Sequence, residues 1–138
     1  MKVQTAVTTQ ALSVTEHEVA VAHPAAGAVV SFAGIVRDHD GGRGVSRLVY
    51  EAHPSADAVL AEVAAEIAKD PEVLGVAVSH RVGELAIGDV ALAAAVATAH
   101  RAEAFALCAR LVDEVKARIP IWKHQHFTDG TDEWVNSP

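Results

Sequence analysis

The stretch VLGVAVSHRVGELAIGDVALAAAVATAHRAEAFALCARLVDEVKAR, residues 73–118, decides the fold. Val73 to Val82 and Asp89 to Thr98 are valine- and alanine-rich runs bounded by turn residues, which reads as two strands. Gly83 and Gly88 bracket the connection between them, where paired glycines permit a tight turn. From about Arg101 to Arg118 the period changes. Phe105, Cys108, Val112, Val115 and Ile119 recur at three- and four-residue steps and form the apolar stripe of a helix, which Pro120 ends.

Further toward the N-terminus, Lys2 to Thr8 has strand character, and Ser13 with Glu16 has the spacing of a capping box at the start of a short helix running to about Ala22. Gly27 to Val36 and Val45 to Ala52 are two more β-rich runs, and the glycine-rich loop from Asp38 to Gly44 predicts a long hairpin between them. Val59, Leu60, Val63 and Ile67 mark one face of a helix over 56–69, stopped at Asp70-Pro71. Beyond Pro120, Ile121-Trp122 is extended, and a turn at Asp129-Gly130 precedes Glu133-Trp134-Val135. Hairpins with interspersed helices predict an α+β domain, three helices packed on one side of a mostly antiparallel sheet, over residues 1–138 as a single domain.

The chain is 51% apolar but only 4% aromatic, so its core is built from small side chains and gains from burial in an oligomer. Eleven Lys and Arg against eighteen Asp and Glu give a formal charge of -7, which argues against nucleic acid as a partner and makes any anion site local. One cysteine, Cys108, leaves no internal disulfide and fits a reducing compartment. No window approaches the roughly 20 apolar residues of a membrane helix, and the start MKVQTAVTTQ lacks a signal-peptide pattern, so no membrane association and a cytoplasmic location are expected.

Candidate chemistry clusters late in the chain. At about 100° per residue, Lys116 falls at the edge of the last helix's apolar stripe. A lysine there ordinarily lays its methylenes on apolar surface and sends its ammonium to water; the sharper reading is a partly desolvated amine. Lys123 follows after a short proline-broken segment, and two amines converging on one site would each lower the other's proton affinity. His100-Arg101 opens the helix, where side chains and free amides together attract phosphate or carboxylate, unless the pair is merely a cap and a solvated first-turn residue. Arg37 ends an apolar strand, in position either for a bidentate oxyanion contact or for solvent. His124 and His126 fall on one side of an extended strand, but without a nearby acidic or cysteine ligand pattern no metal is expected. Cys108 reads as a core residue, and Trp122 and Trp134 either close the core or form part of a partner's pocket.

In order along the chain stand Gly27-Ala28-Val29-Val30, Phe32-Ala33-Gly34-Ile35-Val36-Arg37, Tyr50-Glu51, His80-Arg81-Val82-Gly83, His100-Arg101, Ala104-Phe105, Lys116 and Pro120-Ile121-Trp122-Lys123. This set, from about Gly27 to Trp134, resembles the large, catalytic subunit of molybdopterin synthase. The resemblance implies an α/β-hammerhead type of α+β fold, and a homodimer within a heterotetramer that carries a small ubiquitin-like sulfur-carrier subunit at each end. It implies a sulfurtransferase of molybdenum cofactor biosynthesis that converts cyclic pyranopterin monophosphate to molybdopterin, with sulfur from the thiocarboxylate on the carrier's C-terminal Gly-Gly and no cofactor of its own.

Lys116 and Lys123 match the family's active-site lysines. Ile35, Val36, Arg37, His100 and Arg101, with the lysines, His124 and Gln125, stand at its substrate-binding positions. Under that reading the segment from Pro120 to Trp134 walls the pocket for the carrier's tail. Two departures stand out: His124-Gln125 replaces a frequent basic residue and Glu, so a carboxylate role does not carry over to Gln125, and the sequence ends at Pro138 where relatives often run on. Two other functions compete, a non-catalytic dimer module that holds a pterin or nucleotide phosphate, and a zinc hydrolase built on His100, His124 and His126.

Overall fold

The computed structural model describes residues 1–136 and orders them as β1 (Lys2–Thr8), α1 (Val14–Ala20), β2 (Ala28–Ile35), β3 (His39–Asp40), β4 (Arg43–Ala52), α2 (Ala56–Ala68), β5 (Val73–Arg81), β6 (Gly83–Leu85), β7 (Val90–Thr98), α3 (Arg101–Arg118), β8 (Ile121–Phe127) and β9 (Asp132–Asn136). Pro138, the end of the sequence, lies outside the described residues. The fold is α+β with three helices and mostly antiparallel pairing, as the patterning predicts. No described helix is long and apolar enough to cross a membrane.

The strands divide into two sheets. The first runs β1-β5-β7-β2, with β1 parallel to β5 and the other pairs antiparallel. The second runs β3-β4-β8-β9, and β6 also pairs with β4. The long hairpin expected between residues 27–36 and 45–52 does not form: β2 pairs with β7, and β4 pairs with β8. The glycine-rich loop instead folds on itself. Gly41 and Gly42 both have positive φ, 57° and 78°, so they close a two-residue turn between β3 and β4, the primed geometry that suits strand twist. Residues 36–38 are thereby left to carry the chain from one sheet to the other.

The connection 83–88 likewise differs from a single tight turn. Gly83 and Gly88 each take positive φ, and between them β6 leaves the first sheet to pair with β4. β5 and β7 remain antiparallel neighbours, in the register Val76↔Val96 and Val78↔Ala94.

Helices cover both faces of the first sheet, not one. Val76, Val78, Ala94 and Val96 pack with Leu60, Val63 and Ile67 of α2 and Leu111 and Val115 of α3. The alternate residues Ala77, Ala95 and Ala97 pack with Val21 at the end of α1, because successive strand side chains point to opposite faces. Ser13 caps α1, its Oγ accepting from the Glu16 amide at 3.1 Å. The ring of His17 ties α1 down: Nδ1 donates to the Ser13 carbonyl at 2.6 Å, and Nε2 accepts from the Ser79 hydroxyl of β5 at 2.7 Å. Ile119, before Pro120, is forced out of the helix to ψ 126°, so the chain leaves α3 directly into β8.

Gly75 marks the closest approach of α1 to β5, where a Cβ would lie 2.8 Å from the Val21 carbonyl oxygen. Gly75→Ala should therefore lower the unfolding free energy by about 1–3 kcal/mol, the usual cost of overpacking, with the fold retained. Urea denaturation measures it, and an unchanged midpoint would show that the α1 end gives way freely.

Candidate active site

Where the chain crosses between sheets, a cavity of about 210 Å³ opens. Gly34 and Ile35 of β2, Arg37 of the crossing, Tyr50 of β4, His80 of β5, Ala91 and Leu92 of β7, Lys116 of α3 and Lys123 of β8 line it. Six separated segments thus meet at one point, and their polar groups are chiefly donors.

Lys116 is half-buried in the next-to-last position before the Arg118 end of α3, one residue beyond the fully buried Val115. Lys123 is brought opposite by β8, where it pairs with Tyr50 across the β4 ladder. Burial holds the Lys123 amine below its ordinary range, and the positive charges of Arg37 and Lys116 push in the same direction, while Asp40 and Glu133 oppose them. Desolvation is the larger cause; mutual repulsion of the amines adds to it.

Asp40 is the carboxylate of this neighbourhood. Its Oδ2 accepts from the Gln125 amide at 2.7 Å, and its Oδ1 stands 3.6 Å from the Arg37 guanidinium. The Gln125 hydrogen bond, then the charges of Lys123 and Arg37, lower its proton affinity. Gln125 is almost fully buried and donates also to Glu133 at 3.3 Å.

His80 and Tyr50 form the floor and back of the cavity. Tyr50 presents its ring to the His80 ring edge-on, centroids 4.9 Å apart, and burial pushes its phenol up to about 12. Burial pushes His80 down to about 4, against a hydrogen bond from its ring to the Arg81 carbonyl and with help from the charge of Lys116. At neutral pH both groups are uncharged.

The other residues singled out in the sequence lie elsewhere. Val36 is buried in the core and held by backbone bonds to Gly88 and Asp89, since its side chain points away from the one Ile35 exposes. His124 projects to the face of β8 opposite Lys123, stacks on Trp134 with centroids 4.2 Å apart, and reaches Asp132 at 2.5 Å. Trp122 and Trp134 are exposed on that same face, so they neither close the core nor wall the cavity. His100 occupies the N-cap of α3 with no side-chain capping bond, and Arg101 is exposed. Fifteen residues of helix separate Arg101 from Lys116, roughly 22 Å at the α-helical rise.

Phe105 is 63% exposed and does not share the buried stripe, which runs through Ala104, Leu107, Cys108, Leu111, Val112 and Val115. Cys108 is buried, and burial pushes its thiol up to about 11. His124 and His126 are neighbours, ring centroids 4.3 Å apart, but among the described residues no group of three or more His, Cys, Asp or Glu side chains is placed to share a metal ion.

Patterning alone missed Tyr50 and His80 as cavity residues, and Asp40 as the carboxylate beside Arg37. For His80 a signal existed: Val76, Val78 and His80 alternate onto one face of a strand, and an imidazole at the end of an aliphatic row is out of character for pure core.

Comparison with known proteins shows which family the chain belongs to. The chain is 42% identical over 129 residues to the molybdopterin synthase catalytic subunit 1 of Mycobacterium tuberculosis, covering 93% of this chain and 87% of that protein. It superposes on a molybdopterin synthase structure from Staphylococcus aureus with a TM-score of 0.86 at 30% identity, covering 94% of this chain and 95% of the other. It shares its fold with a chain from the complex of subunits 1 and 2 of molybdopterin-converting factor of Helicobacter pylori, TM-score 0.70 at 21% identity, over 97% and 88% of the two chains. Residues 7–118 match the profile of the MoaE protein family, most of the sequence and every element from the end of β1 through α3, so the chain belongs to the MoaE family.

Proposed function

We propose that this chain is the catalytic subunit of a molybdopterin synthase, a cytoplasmic sulfurtransferase that converts cyclic pyranopterin monophosphate to molybdopterin with sulfur from a thiocarboxylated small carrier. The observation that carries the reading is the meeting of Lys116, Lys123 and Arg37 in one cavity of a chain whose net charge is -7. Three cations gathered against that overall balance suit a substrate with a phosphate and a nucleophile with a thiocarboxylate.

Within this reading Arg37, exposed at the cavity's mouth, takes the phosphate, where a guanidinium can hold two oxygens at once. Lys123, whose amine gives up its proton more readily than an exposed lysine, moves protons as sulfur adds. Lys116 supplies the cation beside which the thiocarboxylate sulfur approaches, and Gln125 serves by holding Asp40 in place. Cys108 takes no part, since a buried thiol with so high a proton affinity is a poor nucleophile, and the sulfur arrives on the carrier.

His100 and Arg101 cannot reach this cavity from their own chain. We assign them to the site of a second copy, so that each active site of a homodimer draws Lys116 and Lys123 from one protomer and His100 and Arg101 from the other. The exposed Phe105, one turn from Arg101, lies on the surface such a contact would cover.

Lys116→Ala should keep the fold and remove nearly all product when the protein is mixed with thiocarboxylated carrier and cyclic pterin. Loss of positioned chemistry costs about 10²-fold or more, and dithiolene formation above about a tenth of wild type would overturn the role. Arg37→Ala should raise KM for the cyclic pterin in a salt-sensitive way, and an unchanged KM would remove the phosphate assignment. Lys116→Ala and Arg101→Ala chains, each inactive, should on mixing recover about a quarter of wild-type activity, because half of randomly formed dimers are mixed and each of those holds one intact site of two. No recovery on mixing would place both residues in a single protomer's site.

A further inference from the structure

The cavity's one fully buried polar side chain is His80, and the mechanism above does not use it. Its Nδ1 donates to the Arg81 carbonyl at 2.7 Å, which fixes the tautomer and leaves Nε2 as an unprotonated lone pair. Among the described residues Nε2 has no hydrogen-bond partner. A buried acceptor left unpaired costs roughly 1–3 kcal/mol, and Val76 and Val78 on the same face of β5 show what an aliphatic residue does there without that cost.

The surroundings indicate what the lone pair is for. Lys116 comes from α3, Lys123 from β8 and Arg37 from the sheet crossing, and all three are donors without acceptor capacity. Tyr50, from β4, stands nearly perpendicular to the imidazole ring and is neutral. Asp40, the nearby carboxylate, is engaged by Gln125 and Arg37. Lys116 is near enough for its charge to oppose protonation of the imidazole. Catalytic hydrogen bonds commonly tighten only once the site is filled.

We propose that His80 is a positioning residue that acts through Lys116: in the loaded site its neutral Nε2 accepts a hydrogen bond from the lysine's ammonium and fixes the direction in which that cation points. The proposal rests on Lys116 being part of the reaction site. A neutral acceptor suits this task because it orients the ammonium without neutralising it, whereas a carboxylate would compete with the anionic substrate for the same charge.

Nitrogen NMR of the histidine rings tests this on the folded protein bound to its carrier, in wild type and in Lys116→Met. His80 should show the Nδ1-protonated tautomer from pH 5.5 to 8.5 (roughly the range over which histidine ordinarily titrates), with an Nε2 resonance of a hydrogen-bonded acceptor that moves to the free-acceptor position in Lys116→Met. An Nε2-protonated ring, or the same Nε2 resonance in both complexes, overturns the proposal. Kinetics give a second reading. His80→Asn retains an amide able to donate to the Arg81 carbonyl but nothing at the Nε2 position, so kcat should fall about tenfold or more with KM nearly unchanged. His80→Gln, whose amide oxygen reaches further, should recover part of the loss. A folded His80→Asn protein with wild-type kcat overturns the proposal, and if that variant does not fold the resonance comparison decides alone. Absence of dithiolene product from the wild type would defeat the sulfurtransferase reading while leaving the resonance comparison intact.

Discussion

A strand pair with helices pressed on both faces has no side on which a charged residue can stand, and β5 with β7 is such a pair. Val76, Ala77, Val78, Ala93, Ala94, Ala95, Val96 and Ala97 are all fully buried. Small side chains let α1 approach from one side and α2 with α3 from the other, to the point where Gly75 admits the Val21 backbone. Polarity enters only toward the strand ends, and each polar group there has a task. Ser79 holds the His17 ring, Thr98 donates to the His100 carbonyl at 2.6 Å where α3 begins, and His80 closes the floor of the cavity. The site lies at the edge of the doubly buried sheet because the centre has no room for one.

The second sheet completes what the first cannot. With β2 committed to β7, the chain must leave Ile35 and cross, and the crossing places Arg37 beside Lys123, which β8 delivers from the other end of the sequence. Three cations in one small cavity repel one another. The arrangement holds because Lys123 carries its charge reluctantly, Asp40 stands nearby, and the neutral Tyr50 and His80 add no charge of their own. The same donor surplus that is costly in the empty site favours an anionic ligand.

The strands and helices were legible in the sequence because period and turn residues are local properties, and the boundaries of α2 and α3 follow from Pro71 and Pro120. Partnership was not legible. A β-rich run on each side of a glycine loop reads as a hairpin, and only the demand of β7 for a second neighbour sends β2 elsewhere. In the same way, Ile121-Trp122 and the alternation of His124 and His126 mark residues 121–127 as extended, yet nothing local names β4 and β9 as the neighbours of that strand. Lys116 and Lys123 could be singled out from the edge of a helical stripe and a proline break. Asp40 could not, since a carboxylate in a glycine-rich loop has no periodicity to mark it. Phe105 misled because its spacing fits the stripe while α3 packs through Ala104 and Leu107 instead.

Gln125 shows how the site adapts to its own neighbours. The resemblance leads one to expect a carboxylate two residues after the second lysine, and this position instead holds an amide that donates to Asp40 and to Glu133. A glutamate there would set a carboxylate, almost fully buried, beside Asp40 and Glu133, and burial with that repulsion would raise its proton affinity. With Gln, Asp40 keeps its charge facing Arg37 and Lys123, and the negative partner of the cations comes from β3 rather than from β8. The position is thus constrained by hydrogen-bond donation: what it must supply is an N–H pair between two acceptors, and among side chains of this length an uncharged amide does so without adding to the cations of the cavity.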